Sequence, residues 1–101
     1  MTDRELLEKA AKAVGLDLRW QDDKPHIGDW LSRKWWNPLA DDGDALRLAV
    51  KLKIDIRPSM GGQTKFSYTW KNGSSYGEVS DDPYAATRRA IVRAAALLGE
   101  Q

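Results

Sequence analysis

The residues best suited to chemistry or binding in this chain lie between positions 22 and 40. That stretch holds three tryptophans and two neighbouring cations: Trp30, Arg33, Lys34, Trp35 and Trp36. Tryptophan and arginine are enriched at the energetic centres of protein interfaces, and the same mixture can stack on and neutralise a single nucleic-acid strand. The alternative is that the tryptophans fold back into a small core beneath a long loop. We favour the core for Trp36 and leave Trp30 and Trp35 open between the two.

A second basic group comes late in the chain, at Arg88, Arg89 and Arg93. Arg89 and Arg93 are one helical turn apart and share a face. Guanidinium groups bind carboxylates and phosphates with two parallel hydrogen bonds. The three arginines therefore form a second candidate contact surface, unless they are simply the solvated face of a helix.

Catalytic chemistry finds little support in the sequence. His26 is the only histidine, and an arrangement with Ser32 and Asp29 lacks a nucleophile elbow or an oxyanion-forming turn. The chain has no cysteine, which excludes disulfides, thiolate nucleophiles and cysteine metal sites. We predict a protein without enzymatic activity and without a cofactor.

Two acidic runs have a structural interpretation and a metal-binding one. Asp41, Asp42 and Asp44 lack the longer spacing and the terminal bidentate glutamate of a calcium loop. Carboxylates at the start of an apolar-periodic run instead cap free helix N–H groups. Asp81 and Asp82, followed by a proline, are interpreted in the same way.

Composition limits the class of protein. Apolar residues make up 42% and charged residues 31%, typical of a globular domain, and 101 residues suffice for one domain spanning 1–101. Sixteen basic and 15 acidic side chains give a net charge of +1, which disfavours a dedicated nucleic-acid binder. We find no signal peptide and no membrane-spanning run, so we expect a cytoplasmic protein.

The elements that must position these residues form an α+β pattern. We predict the order α-β-α-β-β-β-α, with an antiparallel sheet of about four strands and three helices. Helices are predicted at about 3–14, 42–52 and 83–98, strands at 16–21, 54–57, 65–71 and 75–80, and irregular structure at 22–40. The 42–52 helix is expected to be well buried, Gly99 to end the last helix, and Tyr84 to lie on its apolar face.

The strand at 65–71 places Phe66, Tyr68 and Trp70 on one face, and Asn72-Gly73 after it is a strong hairpin signal. Such a row could stack on bases, but the glycine-rich basic motif of an RNA-recognition sheet is missing. We therefore expect an aromatic inner face packed against helices.

Two stretches carry a resemblance: residues 36–52, WNPLADDGDALRLAVKL, and residues 82–95, DPYAATRRAIVRAA. Together with the opening at 2–15, they resemble the phage ABA sandwich domain of small phage and prophage proteins. The resemblance implies an α/β/α sandwich and a phage gene. It implies no activity and no functional residues, and it does not extend over residues 22–34.

These observations lead to a hypothesis of function. We expect a phage-encoded accessory protein that binds and modulates a host or bacterial defence protein, for example by inhibiting a CRISPR–Cas effector. The expected contacts are Trp30, Arg33, Lys34 and Trp35, with Arg88, Arg89 and Arg93 second. The alternative is a nucleic-acid-binding module, and the chain is either a monomer or a homodimer.

Overall fold

Three helices and six strands make up the part of the chain that the computed structural model describes, which is residues 2–28, 34–58, 66–71, 74–79 and 82–100. The helices are α1 (Asp3–Ala13), α2 (Asp42–Leu52) and α3 (Pro83–Gly99). The strands are β1 (Leu18–Gln21), β2 (Lys24–Ile27), β3 (Lys34–Trp35), β4 (Asp55–Pro58), β5 (Phe66–Lys71) and β6 (Ser74–Val79). The α+β class and the three predicted helices are confirmed.

The predicted helix starts are also confirmed, because each has a side-chain oxygen that accepts a backbone N–H. Thr2 Oγ1 accepts from Glu5 at 3.2 Å, and Asp41 Oδ2 accepts from Asp44 at 2.8 Å. Asp82 Oδ1 accepts from the second residue of α3 at 2.9 Å. These bonds satisfy donors that the first turn of a helix leaves without a partner. The capping interpretation of Asp41 and Asp82 therefore holds, while Asp81 lies outside the described residues.

The ends of α1 and α2 share one backbone motif. Each is followed by a residue in the left-handed region, Gly15 at φ +72° and Lys53 at φ +56°. In both, the next residue donates a hydrogen bond to the carbonyl five positions earlier, at 2.9 Å. This is the Schellman arrangement, in which glycine is preferred because it has no Cβ to clash. Lysine at the same position of α2 is held in a less favourable conformation.

The strands form two antiparallel sheets rather than the single four-stranded sheet that we predicted. Sheet 1 has the order β1-β2-β3 and sheet 2 the order β4-β5-β6. Sheet 1 contradicts the prediction of irregular structure over residues 22–40. Asp22 and Asp23 both have positive φ, 52° and 62°, and form the two-residue turn that joins β1 to β2. Sequence reasoning missed this hairpin because the turn lacks the usual Asn-Gly or Asp-Gly pair and Pro25 follows it.

Pro25 fits in β2 because of its position in the ladder. It lies opposite Trp20, one step from the closing Gln21↔Lys24 pair. In an antiparallel hairpin with a two-residue loop, that position forms no backbone hydrogen bond with the partner strand. The missing N–H of proline therefore removes no hydrogen bond between β1 and β2. Its carbonyl accepts from the Trp36 N–H at 3.1 Å.

Sheet 2 contains the predicted hairpin. The register pairs Lys71 with Ser74 and Trp70 with Ser75. The two residues of the turn, 72–73, lie outside the described part of the chain. The structure describes the backbone of β5 but not its side chains, so the inner-face assignment of Phe66, Tyr68 and Trp70 stays a prediction.

Helix α3 is the central element, since it packs against α1 and α2 and against all three strands of sheet 2. Small residues make this close packing feasible: Ala86, Ala90, Ala94, Ala95, Ala96 and Gly99 are all buried. A Cβ on Gly99 would lie 2.0 Å from the Lys9 carbonyl oxygen. Gly99 is thus the last residue of α3 and a site of helix contact, not a residue beyond the helix end as predicted.

Two further expectations of burial are wrong. Tyr84 is 68% exposed, and on α2 Leu46 and Val50 are 59% and 69% exposed. Helix α2 buries only the face formed by residues such as Ala45, Leu48 and Ala49, because α3 packs against one side of it. None of the described helices has the length and apolar character needed to cross a membrane.

Candidate binding surface

Sheet 1 has two faces with different side chains. Cross-strand register pairs Arg19 with His26 and His26 with Trp35, so these three side chains form one row across all three strands. We call them the outer row. Leu18, Trp20, Pro25 and Ile27 alternate with them and form the inner face. Of these, Leu18, Trp20 and Ile27 pack against the main core.

Trp35 and His26 are in direct contact within the outer row. Their ring centroids are 5.6 Å apart and the ring planes meet at 84°, an edge-to-face arrangement. His26 Nδ1 lies 3.1 Å from the Lys24 carbonyl oxygen. Because a carbonyl can only accept, Nδ1 must carry the hydrogen, which leaves Nε2 free to accept in the neutral ring. Trp35 keeps 45% of its surface exposed in this position.

Arg19 supplies the charge at the other end of the row. Its guanidinium donates to Asp17 Oδ2 from Nε at 3.2 Å and from a terminal nitrogen at 2.9 Å. Asp17 raises the pKa of Arg19 above its usual value, first through the hydrogen bond that it accepts and second through its own negative charge. Arg19 is therefore a cation, and its side chain is 68% exposed.

The inner face of sheet 1 packs against the core and α1 of the same chain. Trp36, which follows β3, is only 5% exposed and belongs to the core, as predicted. Trp20 donates from Nε1 to Glu8 Oε1 at 3.1 Å, and Arg4 stacks over its ring at 4.6 Å from the centroid. Helix α1 therefore covers this side of sheet 1.

The predicted contact residues are only partly brought together. Lys34 and Trp35 are adjacent on β3 and both are exposed. Trp30 and Arg33 lie outside the described residues, so their role stays a prediction.

The three late arginines lie elsewhere. Arg88 donates from Nε to the Leu39 carbonyl at 2.9 Å and from a terminal nitrogen to Asp42 at 2.6 Å, and its side chain is only 17% exposed. Arg89 donates to Asp3 at 2.9 Å. These contacts lie at the first turns of α2 and α1 and not on sheet 1. Arg93 is exposed and also has an interaction partner.

Sequence reasoning missed Arg19 as a candidate contact residue. Its alternation with Leu18 and Trp20 was visible and predicted a strand. Its alignment with Trp35, however, depends on β2 lying between β1 and β3. No local pattern indicates that arrangement, because the turn and the proline of β2 argue against a strand.

The described residues contain no group of three or more histidine, cysteine, aspartate or glutamate side chains placed to hold a metal ion. The described neighbours of His26 include the Lys24 carbonyl, the Trp35 indole ring and its cross-strand partner Arg19. Ser32 and Asp29, the residues considered with His26 in the sequence, lie outside the described residues, so the absence of enzymatic activity stays a prediction.

Comparison with known proteins adds information on the fold alone. No family model matches this chain, and no curated protein matches it. The fold is similar to the crystal structure of a phage protein from Bacillus cereus ATCC 14579, with a TM-score of 0.58 and 13% sequence identity. The similarity covers 92% of this chain and 91% of that protein. The chain therefore has the fold of a phage protein, while the resemblance to the ABA sandwich family stays a prediction from its motifs.

Proposed function

We propose that this chain is a non-enzymatic accessory protein of phage origin that binds a protein of the host cytoplasm and modulates its activity. The observation that carries the proposal is the outer row, Arg19, His26 and Trp35, on the face of sheet 1 opposite the core. Tryptophan and arginine are the residue types that most often dominate binding energy at interfaces. A tryptophan that keeps 45% of its surface exposed, in the same row as an exposed cation, suits an interface contact.

A protein partner is favoured over a nucleic acid by charge. The whole chain carries a net charge of +1, whereas nucleic-acid-binding domains are usually strongly basic. Arg19 is paired with Asp17, which reduces its attraction to phosphates. Lys34 precedes Trp35 and lies on the opposite face of β3, aligned with Ile27, where it can pair with a carboxylate on a protein surface.

The choice of a defence complex as the partner has an associational basis. It comes from the phage motifs in the sequence and from the likeness to the Bacillus cereus phage protein, and fold does not determine function. Inhibition of a CRISPR–Cas effector is the specific version that we would test first.

Replacement of Trp35 by alanine tests the proposal. Tagged wild-type protein, Trp35→Ala and Tyr84→Ala are used to capture proteins from a bacterial lysate, and captured proteins are identified by mass spectrometry. Tyr84 is a matched control because it is an exposed aromatic residue on α3. We expect Trp35→Ala to lose the partner while Tyr84→Ala keeps it, with the melting temperature of both close to that of the wild type.

Equal capture by wild type and Trp35→Ala would show that the outer row is not the interface. Loss of capture together with a large fall in melting temperature would instead place Trp35 among the residues that stabilise the fold. Candidate defence complexes, beginning with purified CRISPR–Cas effectors, are then assayed with and without the chain.

The second candidate function is nucleic-acid binding, favoured by the same juxtaposition of an aromatic ring and cations. Fluorescence anisotropy with a labelled single strand is measured across a salt series. Phosphate binding must weaken steeply as salt rises. Absence of binding at low salt removes this alternative, and salt-sensitive binding that requires Trp35 would replace the protein-partner proposal.

A further inference from the structure

A small pocket of about 220 Å³ lies between the inner face of sheet 1, α2 and the end of α1. Its apolar wall is formed by four side chains: Val14, Leu16, Ile27 and Trp36. Trp36 and Val14 are buried in the core, and Leu16 and Ile27 are partly buried. The wall is therefore a continuation of the core that reaches the surface.

The rim of this pocket is positively charged. Lys34, Arg47 and Lys51 line it, with Asp44 as the one acidic lining residue. Asp44 is 3% exposed, and it already accepts hydrogen bonds from Arg47 at 2.7 Å and from the Asn37 N–H at 3.0 Å. Its charge is thus used inside the fold and is not available at the mouth.

Two of the rim cations have no acidic partner within the described residues. Lys34 and Lys51 form no ion pair there, and both are exposed. Cations placed over an apolar wall attract a ligand that combines a hydrophobic group with negative charge. The volume is below the roughly 300 Å³ from which small-molecule sites usually start, which favours one side chain over a larger free ligand.

We propose that this pocket receives one large apolar side chain of the partner protein, with carboxylates beside it in the partner's sequence. The inference rests on the proposed function, because it assumes that the partner is a protein. Lys34 connects the two surfaces, since it lines the pocket while its neighbour Trp35 belongs to the outer row. A partner seated on the β3 edge of sheet 1 can therefore contact both.

The test uses three synthetic tripeptides, N-acetylated and C-amidated: Asp-Leu-Asp, Asn-Leu-Asn and Asp-Ala-Asp. Each is titrated into isotope-labelled protein, and binding is followed by two-dimensional nuclear magnetic resonance. The indole N–H of Trp36, assigned with Trp36→Phe, reports on the pocket. We expect saturable shifts with Asp-Leu-Asp, about fivefold weaker binding with Asn-Leu-Asn and no saturation with Asp-Ala-Asp.

Charge reversal supplies the matched variants. Lys51→Glu changes the rim, and Lys24→Glu makes the same change at an exposed lysine of β2 that does not line the pocket. Neither lysine has a described ion pair, so both variants should fold. We expect Lys51→Glu to weaken binding of Asp-Leu-Asp about fivefold or more, and Lys24→Glu to leave it unchanged.

Unchanged Trp36 signals with all three peptides at millimolar concentration overturn the inference. Equal effects of the two charge reversals do the same, since they would indicate long-range attraction only. These outcomes are separable from failure of the proposed function. If Trp35→Ala abolishes partner capture but none of the peptides binds to the pocket, the proposed function is supported and the inference about the pocket is wrong. If the peptides bind and Trp35→Ala keeps its partner, the pocket is supported as a binding site and the outer row is not the interface.

Discussion

The two faces of sheet 1 differ in how they are covered, and the exposed fractions of the adjacent residues Trp35 and Trp36 show this difference. Trp36 is 5% exposed on the side of the core, whereas Trp35 is 45% exposed in the outer row. The residues are adjacent in sequence and of the same type, and they lie on opposite faces of sheet 1. Helix α1 and the core cover one face, while the other carries Arg19 and His26. Residue type alone therefore does not separate a core tryptophan from a candidate contact tryptophan.

The largest expected effect on stability comes from a substitution on the inner, covered face of sheet 1. Trp36→Ala removes a buried aromatic ring and leaves a cavity, so we expect a loss of about 4 kcal/mol in the free energy of unfolding. Trp35→Ala is its matched control and should cost less than about 1 kcal/mol. Urea denaturation of both variants measures the difference. Similar losses for the two would mean that the faces are not distinct in energy.

The helix layer that supports the inner face supplies the second test. Gly99→Ala would place a Cβ 2.0 Å from the Lys9 carbonyl oxygen, a backbone atom that cannot move aside alone. We expect a loss of about 3 kcal/mol, or a fall of roughly 15 °C in melting temperature.

Gly43→Ala on α2 is the control for Gly99→Ala. The atoms nearest to its added Cβ are side-chain atoms, the capping Asp41 Oδ2 at 3.2 Å and the Arg47 guanidinium at 3.3 Å. Because side-chain atoms can shift by a few tenths of an ångström, its melting temperature should change much less than that of Gly99→Ala. A small effect of Gly99→Ala would indicate that the last turn of α3 separates readily from α1.

The adjacent residues Arg88 and Arg89 on α3 also differ in how much of the side chain is exposed. Arg88 holds the Leu39 carbonyl and Asp42 and is 17% exposed at its side chain, so Arg88→Ala should cost about 2 kcal/mol. Arg89 pairs with Asp3 at the surface, and Arg89→Ala should cost less than about 0.5 kcal/mol. Thermal unfolding distinguishes them. If Arg88→Ala leaves stability unchanged but abolishes partner capture, then Arg88 serves binding as first predicted.

The smallest expected effect is at the end of α2. Lys53→Gly relieves a left-handed conformation, offset by the greater freedom of glycine in the unfolded chain, and should raise stability by about 0.5 kcal/mol. Gly15→Ala introduces the opposite strain at the equivalent position of α1. Its added Cβ meets no atom within 4 Å, so a loss of about 1 kcal/mol would come from φ alone. Calorimetry with both variants should show shifts of opposite sign.

Most of the helical framework could be predicted from local patterns. Thr2, Asp41 and Asp82 mark helix starts because a capping bond needs only atoms a few residues apart. Gly15 marks an end for the same reason. The hairpin of β5 and β6 has an alternating pattern and an Asn-Gly turn, and its register agrees with that prediction.

The rest could not be predicted because it depends on what packs against each surface. The periodicity of α2 predicted a well-buried helix, yet Leu46 and Val50 remain exposed because α3 packs against one side. Gly99 has the same sequence signal whether it ends a helix or admits a close neighbour. Of the candidate contacts, Lys34 and Trp35 were predicted, while Arg19 requires knowledge of the strand order.

The sequence by itself determined the α+β class, three helices with their caps and the β5–β6 hairpin. These follow from hydrogen bonds and periodicities that span a few residues. Only the tertiary structure decided that residues 24–35 contribute two strands to a second sheet, that Arg19, His26 and Trp35 share a face, and that Arg88 is held inside the fold. Such relations join residues distant along the chain, and their free energy exists only once the elements are packed together.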